Sequence, residues 1–173
     1  MVAVLLVVRP IFCVVICVSL LAPTAATAQR AKSKLARKST QIARQVESDG
    51  DNPDWKQAWC FADGVRHMVS RDGEGVVRYY EYSDKRDVYP TYYYSSEGVL
   101  ALVRVRTYSK KHGEDAFRDF YVADRDGEAA LVKGRTNLRG VKVPEIATPL
   151  VTSPIAHFSN ICAGQEIYTP EGC

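Results

Sequence analysis

The residues best suited to chemistry in this sequence are arginines and tyrosines set at strand spacing. In the segment 99–108, Val99, Ala101, Val103, Val105 and Thr107 make one side of an extended chain, and Leu100, Leu102, Arg104, Arg106 and Tyr108 make the other. Arg104 and Arg106 thus share a face with Tyr108. Arg118, in the following strand-like segment, is expected across from them if the two segments pair as an antiparallel hairpin. A guanidinium group is planar and always charged, and takes a carboxylate or phosphate through two parallel N–H bonds. Tyrosine adds broad amphipathic contact area at small entropic cost. Arg104, Arg106, Tyr108 and Arg118 therefore read as a binding patch for a protein or for an anionic glycan or envelope component. Arg78, Tyr80 and Tyr82 repeat the combination on an earlier segment. On this reading the arginines are solvated, and removing them leaves stability nearly unchanged. The competing reading is a half-wet sheet face whose tyrosines pair across strands and whose arginines are held by Asp119 or Glu81.

Catalytic motifs are missing. The chain has no His-Glu-x-x-His, no Gly-x-Ser-x-Gly, no phosphate-binding loop and no Cys-x-x-Cys. His67, His112 and His157 fall in a strand, a turn and a proline-rich tail, without the spacing of metal ligands. No catalytic residue, no metal and no cofactor is expected, so the reading is a non-catalytic binding module. The alternative is a small secreted hydrolase with a dispersed site, because two carboxylates that meet only in space leave no spacing signal.

The elements that position the patch follow from periodicity. Residues 31–48 lack Gly and Pro, and carry a narrow stripe of Leu35, Ser39, Ile42 and Val46 opposite Arg37, Lys38, Gln41, Arg44 and Gln45, which predicts a helix packed on a sheet. A basic amphipathic helix can also lie on an anionic membrane, but this stripe is weak and has no aromatics. From 59 onward the period is two, with strands expected over 65–70, 75–83, 91–95, 99–108, 116–123 and 129–135. The fold class is α+β: an N-terminal helix on a curled antiparallel meander of five to seven strands, with strand order following chain order. Residues 140–173, with Pro144, Pro149 and Pro154, read as an extended tail packed on an edge or face of the sheet.

Three stretches share a pattern of apolar or aromatic pair, polar turn, glycine and apolar strand: 68–77, 93–100 and 121–129. Their glycines Gly73, Gly98 and Gly127 stand 25 and 29 residues apart. Over about 61–135 the chain resembles uncharacterised exported bacterial proteins with Tyr-rich, Gly-turn hairpin repeats, and is similar to aromatic-glycine hairpin repeats of the MORN type. The resemblance implies tandem hairpins in one curled sheet and assigns no activity.

The chain has 173 residues, a net charge of +3, 46% hydrophobic and 25% charged residues. These are values for a globular chain, and the charge excludes a nucleic-acid protein without a concentrated patch. Residues 2–21 are almost wholly apolar, and Ala26-Thr27-Ala28 fits a signal-peptidase site before Gln29. Residues 1–28 thus read as a signal peptide, with an uncleaved membrane anchor as the alternative. The protein is expected in the periplasm or outside the cell, touching a membrane only during export. The remaining segments are 29–58, a basic helix and linker; 59–139, the hairpin domain; and 140–173, the tail. Cleavage leaves Cys60, Cys162 and Cys173. In an oxidising compartment one disulfide and one odd thiol are expected. Cys60–Cys162 is preferred, because both sit in apolar triplets, over Cys162–Cys173.

Overall fold

The computed structural model describes residues 25–50, 52–83, 88–125, 128–146 and 150–170. Helix α1 (Ala25–Asp49) runs for 25 residues without Gly or Pro. It starts six residues earlier than its periodicity predicts, since Ala25, Ala26 and Ala28 extend it with the strongest helix former. The proposed cleavage site therefore lies in its first turns.

Seven strands follow: β1 (Lys56–Ala62), β2 (Val65–Arg71), β3 (Val77–Tyr82), β4 (Val88–Tyr94), β5 (Leu100–Ser109), β6 (Glu114–Arg125) and β7 (Glu128–Thr136). They form one sheet in the order β1 to β7, every neighbouring pair antiparallel. This is the expected meander, because short turns leave each strand beside its predecessor. The β2–β3 and β4–β5 turns are built alike. Asp72 Oδ1 accepts from the amides of Glu74 and Val76, and Ser95 Oγ accepts from those of Glu97 and Val99. Gly75 and Gly98 hold equivalent left-handed positions, φ 82° and 73°, which a Cβ disfavours. The glycine matching Gly98 is thus Gly75 and not Gly73. The third turn, at Gly127, lies outside the described residues.

The middle of the sheet is covered on both faces. Cys60, Val69, Tyr80, Tyr92, Val103 and Val105 pack under Val143, Val151, Phe158 and Cys162 of the C-terminal segment. Tyr93 and Leu102 pack under Ala43 and Val46 of α1. This double cover accounts for the unbroken burial of 90–94, which alternation alone does not give. The tail expected to be extended contains α2 (Pro154–Ile161), with Pro154 in its first turn, where a missing N–H costs no hydrogen bond. The Cys162 amide closes α2 on Phe158 O at 2.8 Å, and Cys162 is disulfide-bonded to Cys60 across 102 residues, Cα–Cα 5.9 Å. The odd thiol, Cys173, lies outside the described residues, as do Cys13, Cys17 and the apolar segment 2–21.

Beneath α2, His67, Tyr82 and His157 surround the buried Tyr80 ring, and His67 Nδ1 lies 2.8 Å from the Tyr80 hydroxyl. Burial, and then the charge of His157, hold His67 below its ordinary 6.5; burial does the same to His157. The unfolded chain takes up protons near 6.5 and the folded chain resists them. Stability is therefore full above 6.5 and falls as pH drops toward the lowered folded values. Urea unfolding followed from neutral to acid pH is expected to show that decline, and His67→Phe to flatten it. An unchanged slope in the variant would contradict the assignment.

Candidate functional site

The disulfide turns Cys60 toward the α2 side, so its neighbours Trp59 and Phe61 leave the sheet on the α1 side. The cross-strand register carries a row from Trp59 through Glu81 and Thr91 to Arg104 and Asp119. The next row holds Phe61 opposite Arg66 on β1 and β2, then Tyr89 opposite Arg106 and Arg106 opposite Phe117. Helix α1 packs on β4, β5 and β6. The β1–β2 end of this face is left open, and so is the row of Tyr89 and Arg106.

The open part is aromatic and cationic. The C-terminal strand-like residue Tyr168 pairs with Trp59 through two backbone bonds of 2.9 and 2.8 Å, and their rings stack with centroids 6.2 Å apart. Phe61, 52% exposed, meets the Tyr168 ring edge-on. The guanidinium groups of Arg66 and Arg106 converge on Glu81 from two sides, at 3.6 and 3.7 Å. Glu81 also accepts from the Tyr79 hydroxyl at 2.5 Å and the Thr91 hydroxyl at 3.1 Å. Its side chain is 13% exposed against 50% for Arg66 and 33% for Arg106, so guanidinium is the charge that the surface presents. Arg106 is loosely held. Its Nη2 donates to Thr91 Oγ1 at 3.3 Å, and its buried Nε has no hydrogen-bond partner.

Arg104 is the opposite case. Nε and Nη2 both donate to Asp119, at 2.7 and 3.2 Å, and Nη1 donates to Glu47 of α1 at 2.7 Å. The group lies over the rings of Phe117 and Tyr93. Burial alone would lower its pKa, but the hydrogen bonds and charge of Asp119, with Tyr93 and Glu47, raise it above the ordinary arginine value. Burial and the same Glu47 push the Tyr93 phenol far up.

The residues read from sequence as one patch are thus divided. Arg104, Arg106 and Tyr108 do share a face, but Arg104 is an internal clamp of α1, β5 and β6. Tyr108 is exposed at the far end of that face. Arg118 pairs with Val105, not with Arg104, so it points to the opposite face, where Nε and Nη2 donate to Thr136 Oγ1. Tyr80 and Tyr82 lie in the cluster under α2 and not on a surface. Trp59, Phe61, Arg66 and Tyr168 were not singled out. Alternation from a disulfide-bonded Cys60 is the signal that would have turned Trp59 and Phe61 outward.

Chemically, this face offers aromatic contact area and guanidinium donors. Glu81 on β3 and Asp119 on β6 are three strand spacings apart, about 14 Å, beyond the roughly 5–9.5 Å that glycosidase carboxylate pairs span. Among the described residues no group of three or more His, Cys, Asp or Glu is placed to hold a metal. Elsewhere an apolar cleft of about 520 Å³ lies between α1 and the β4–β5 turn, lined by Leu35, Ile42, Val99, Leu100 and Val122. Comparisons with protein-family models, with curated proteins and with solved structures find no match.

Proposed function

We propose that the protein is an exported, non-catalytic binding module that holds a carboxylate-bearing glycan chain on the open part of the α1-side sheet face. The observation that carries this reading is the juxtaposition of two exposed aromatic rings, Phe61 and Tyr168, and the half-buried Trp59 ring stacked on Tyr168, with two guanidinium groups, Arg66 and Arg106, that an almost buried Glu81 holds together. Aromatic faces carry partial negative charge and accept the C–H face of a sugar ring. Guanidinium takes a carboxylate through paired N–H bonds. The site is a face and not a pocket, which suits a polymer, since small ligands need concave sites that enclose most of their surface. Export is supported by the apolar segment 2–21 and by the Cys60–Cys162 bond, which persists in oxidising compartments. The like-bonded turns at Gly75 and Gly98 support the hairpin-repeat reading.

Uronate oligosaccharides, titrated in while tryptophan emission and heat are recorded, test the proposal. Trp59→Ala and Arg66→Ala are each expected to weaken binding by about tenfold, or 1.4 kcal/mol. Reducing the uronates to neutral sugars should weaken it as well. Unchanged affinity in both variants would sink the reading. Release of new reducing ends would favour the hydrolase instead.

A further inference from the structure

Four cations on α1 stand in a line that the fold does not use. Arg30, Lys34, Arg37 and Arg44 follow one another at spacings of 4, 3 and 7 residues. On a helix of 3.6 residues per turn this puts them in one stripe, on the side opposite Ser39, Ala43 and Val46, which are buried on the sheet. All four are exposed, Gln41 fills the gap in the row, and Lys38 flanks it. No acidic residue occurs in α1 before Glu47, and Glu47 is already taken by Arg104 and the Tyr93 hydroxyl. Among the described residues none of the four forms an ion pair. Cations at these spacings repel one another, and those near a helix N-terminus oppose its dipole. The stripe therefore works against the helix that carries it, and no ion pair among the described residues offsets that.

We propose that this stripe docks the protein on an anionic phospholipid surface. From Arg30 to Arg44 the row is about 21 Å long at 1.5 Å per residue. The row runs along one exposed side of the helix, so a plane can meet it along its length. Each basic residue held near such a surface adds roughly a fivefold factor to binding. The apolar side of α1 is occupied by the sheet, so the attachment is electrostatic and reversible, with no inserted face. The chain places the apolar stretch 2–21 just ahead of the stripe. Such a segment partitions into bilayers and brings the following residues to a membrane surface, whether it is then cut or kept. This extends membrane contact beyond export. The docking site is independent of the glycan platform, although α1 lies on the same face of the sheet.

Co-sedimentation of the protein from Gln29 onward, the form that cleavage of segment 1–28 leaves, with vesicles of phosphatidylcholine, alone or mixed with phosphatidylglycerol, tests the proposal. The protein is expected to prefer the mixed vesicles, and to lose that preference as salt rises past about 0.1 M and the screening length drops below about 10 Å. The variant carrying Arg30→Gln, Lys34→Gln, Arg37→Gln and Arg44→Gln should bind the mixed vesicles at least about tenfold more weakly. Its thermal midpoint should be unchanged or higher, since only repulsion is removed. Trp59→Ala should bind vesicles as the parent does. Equal binding by the fourfold variant, or equal binding to neutral and anionic vesicles, would overturn the proposal. Tighter binding to duplex DNA than to anionic vesicles would also overturn it, and would assign the stripe to nucleic acid.

Discussion

Replacing Arg104 with methionine is expected to lower folding stability by about 3–5 kcal/mol. Methionine keeps much of the stem volume and removes the charge. Asp119, 8% exposed, then keeps a buried carboxylate whose two guanidinium bonds are gone. Leaving one partner of a buried pair uncompensated is what makes such changes severe. The more exposed Glu47 adds less, because water solvates it once the contact is lost. The pair Arg104→Met with Asp119→Leu should recover most of the loss, since a buried ion pair and an apolar pair of like volume differ little in stability. Arg106→Ala should cost only about 1 kcal/mol, because its contacts to Glu81 and Thr91 are long. Urea unfolding of the four proteins distinguishes these outcomes. If Arg104→Met stays within about 0.5 kcal/mol of the parent, Arg104 is a solvated surface arginine after all.

Removing the disulfide is the second large effect. Cys60→Ser with Cys162→Ser opens a loop of 102 residues. By chain entropy a loop of that size is worth about 4.7 kcal/mol, and native disulfides typically give about 2–4. The loss should concentrate at the seam between α2 and β1, because Cys162 closes the α2 helix on one side and Cys60 anchors the edge strand on the other. Amide exchange is therefore expected to speed up in Pro154–Ile161 and β1 before it does in β5, while α1 keeps its protection. A change under about 1 kcal/mol in urea would show that packing of Phe158 and Val151 holds the C-terminal segment without the bond.

What the sequence made legible was whatever local spacing decides. The alternation of 99–108, the meander order, the α1 stripe and the Cys60–Cys162 pairing all rest on period, turn chemistry or apolar context. What was not legible depends on register and cover. The site placed Arg118 beside Arg104, yet the β5–β6 hairpin pairs Arg104 with Asp119, and a shift of one residue sends a side chain to the other face. Tyr80 and Tyr82 had the composition of a hot spot. They are interior because a segment more than 60 residues later folds over them, and Pro154 in that segment starts a helix where it was expected to prevent one. Trp59 and Phe61 looked like core beside Cys60 until their alternation was anchored by the bond. Arg104 read as a binding group because its charge is visible in sequence and its partners on α1 and β6 are not.

The central claim is that the open β1–β2 end of the α1-side face, with Arg106, is where ligand sits. Amide chemical-shift mapping of the isotope-labelled protein during titration with a uronate oligosaccharide tests it most directly. The account predicts shifts confined to Trp59, Phe61, Arg66, Tyr89, Arg106, Tyr168 and their strand neighbours, with the amides around Leu35 and Val99 at the apolar cleft unmoved. Shifts centred on that cleft, or on the opposite face at Arg118 and Thr136, with the platform silent would contradict it.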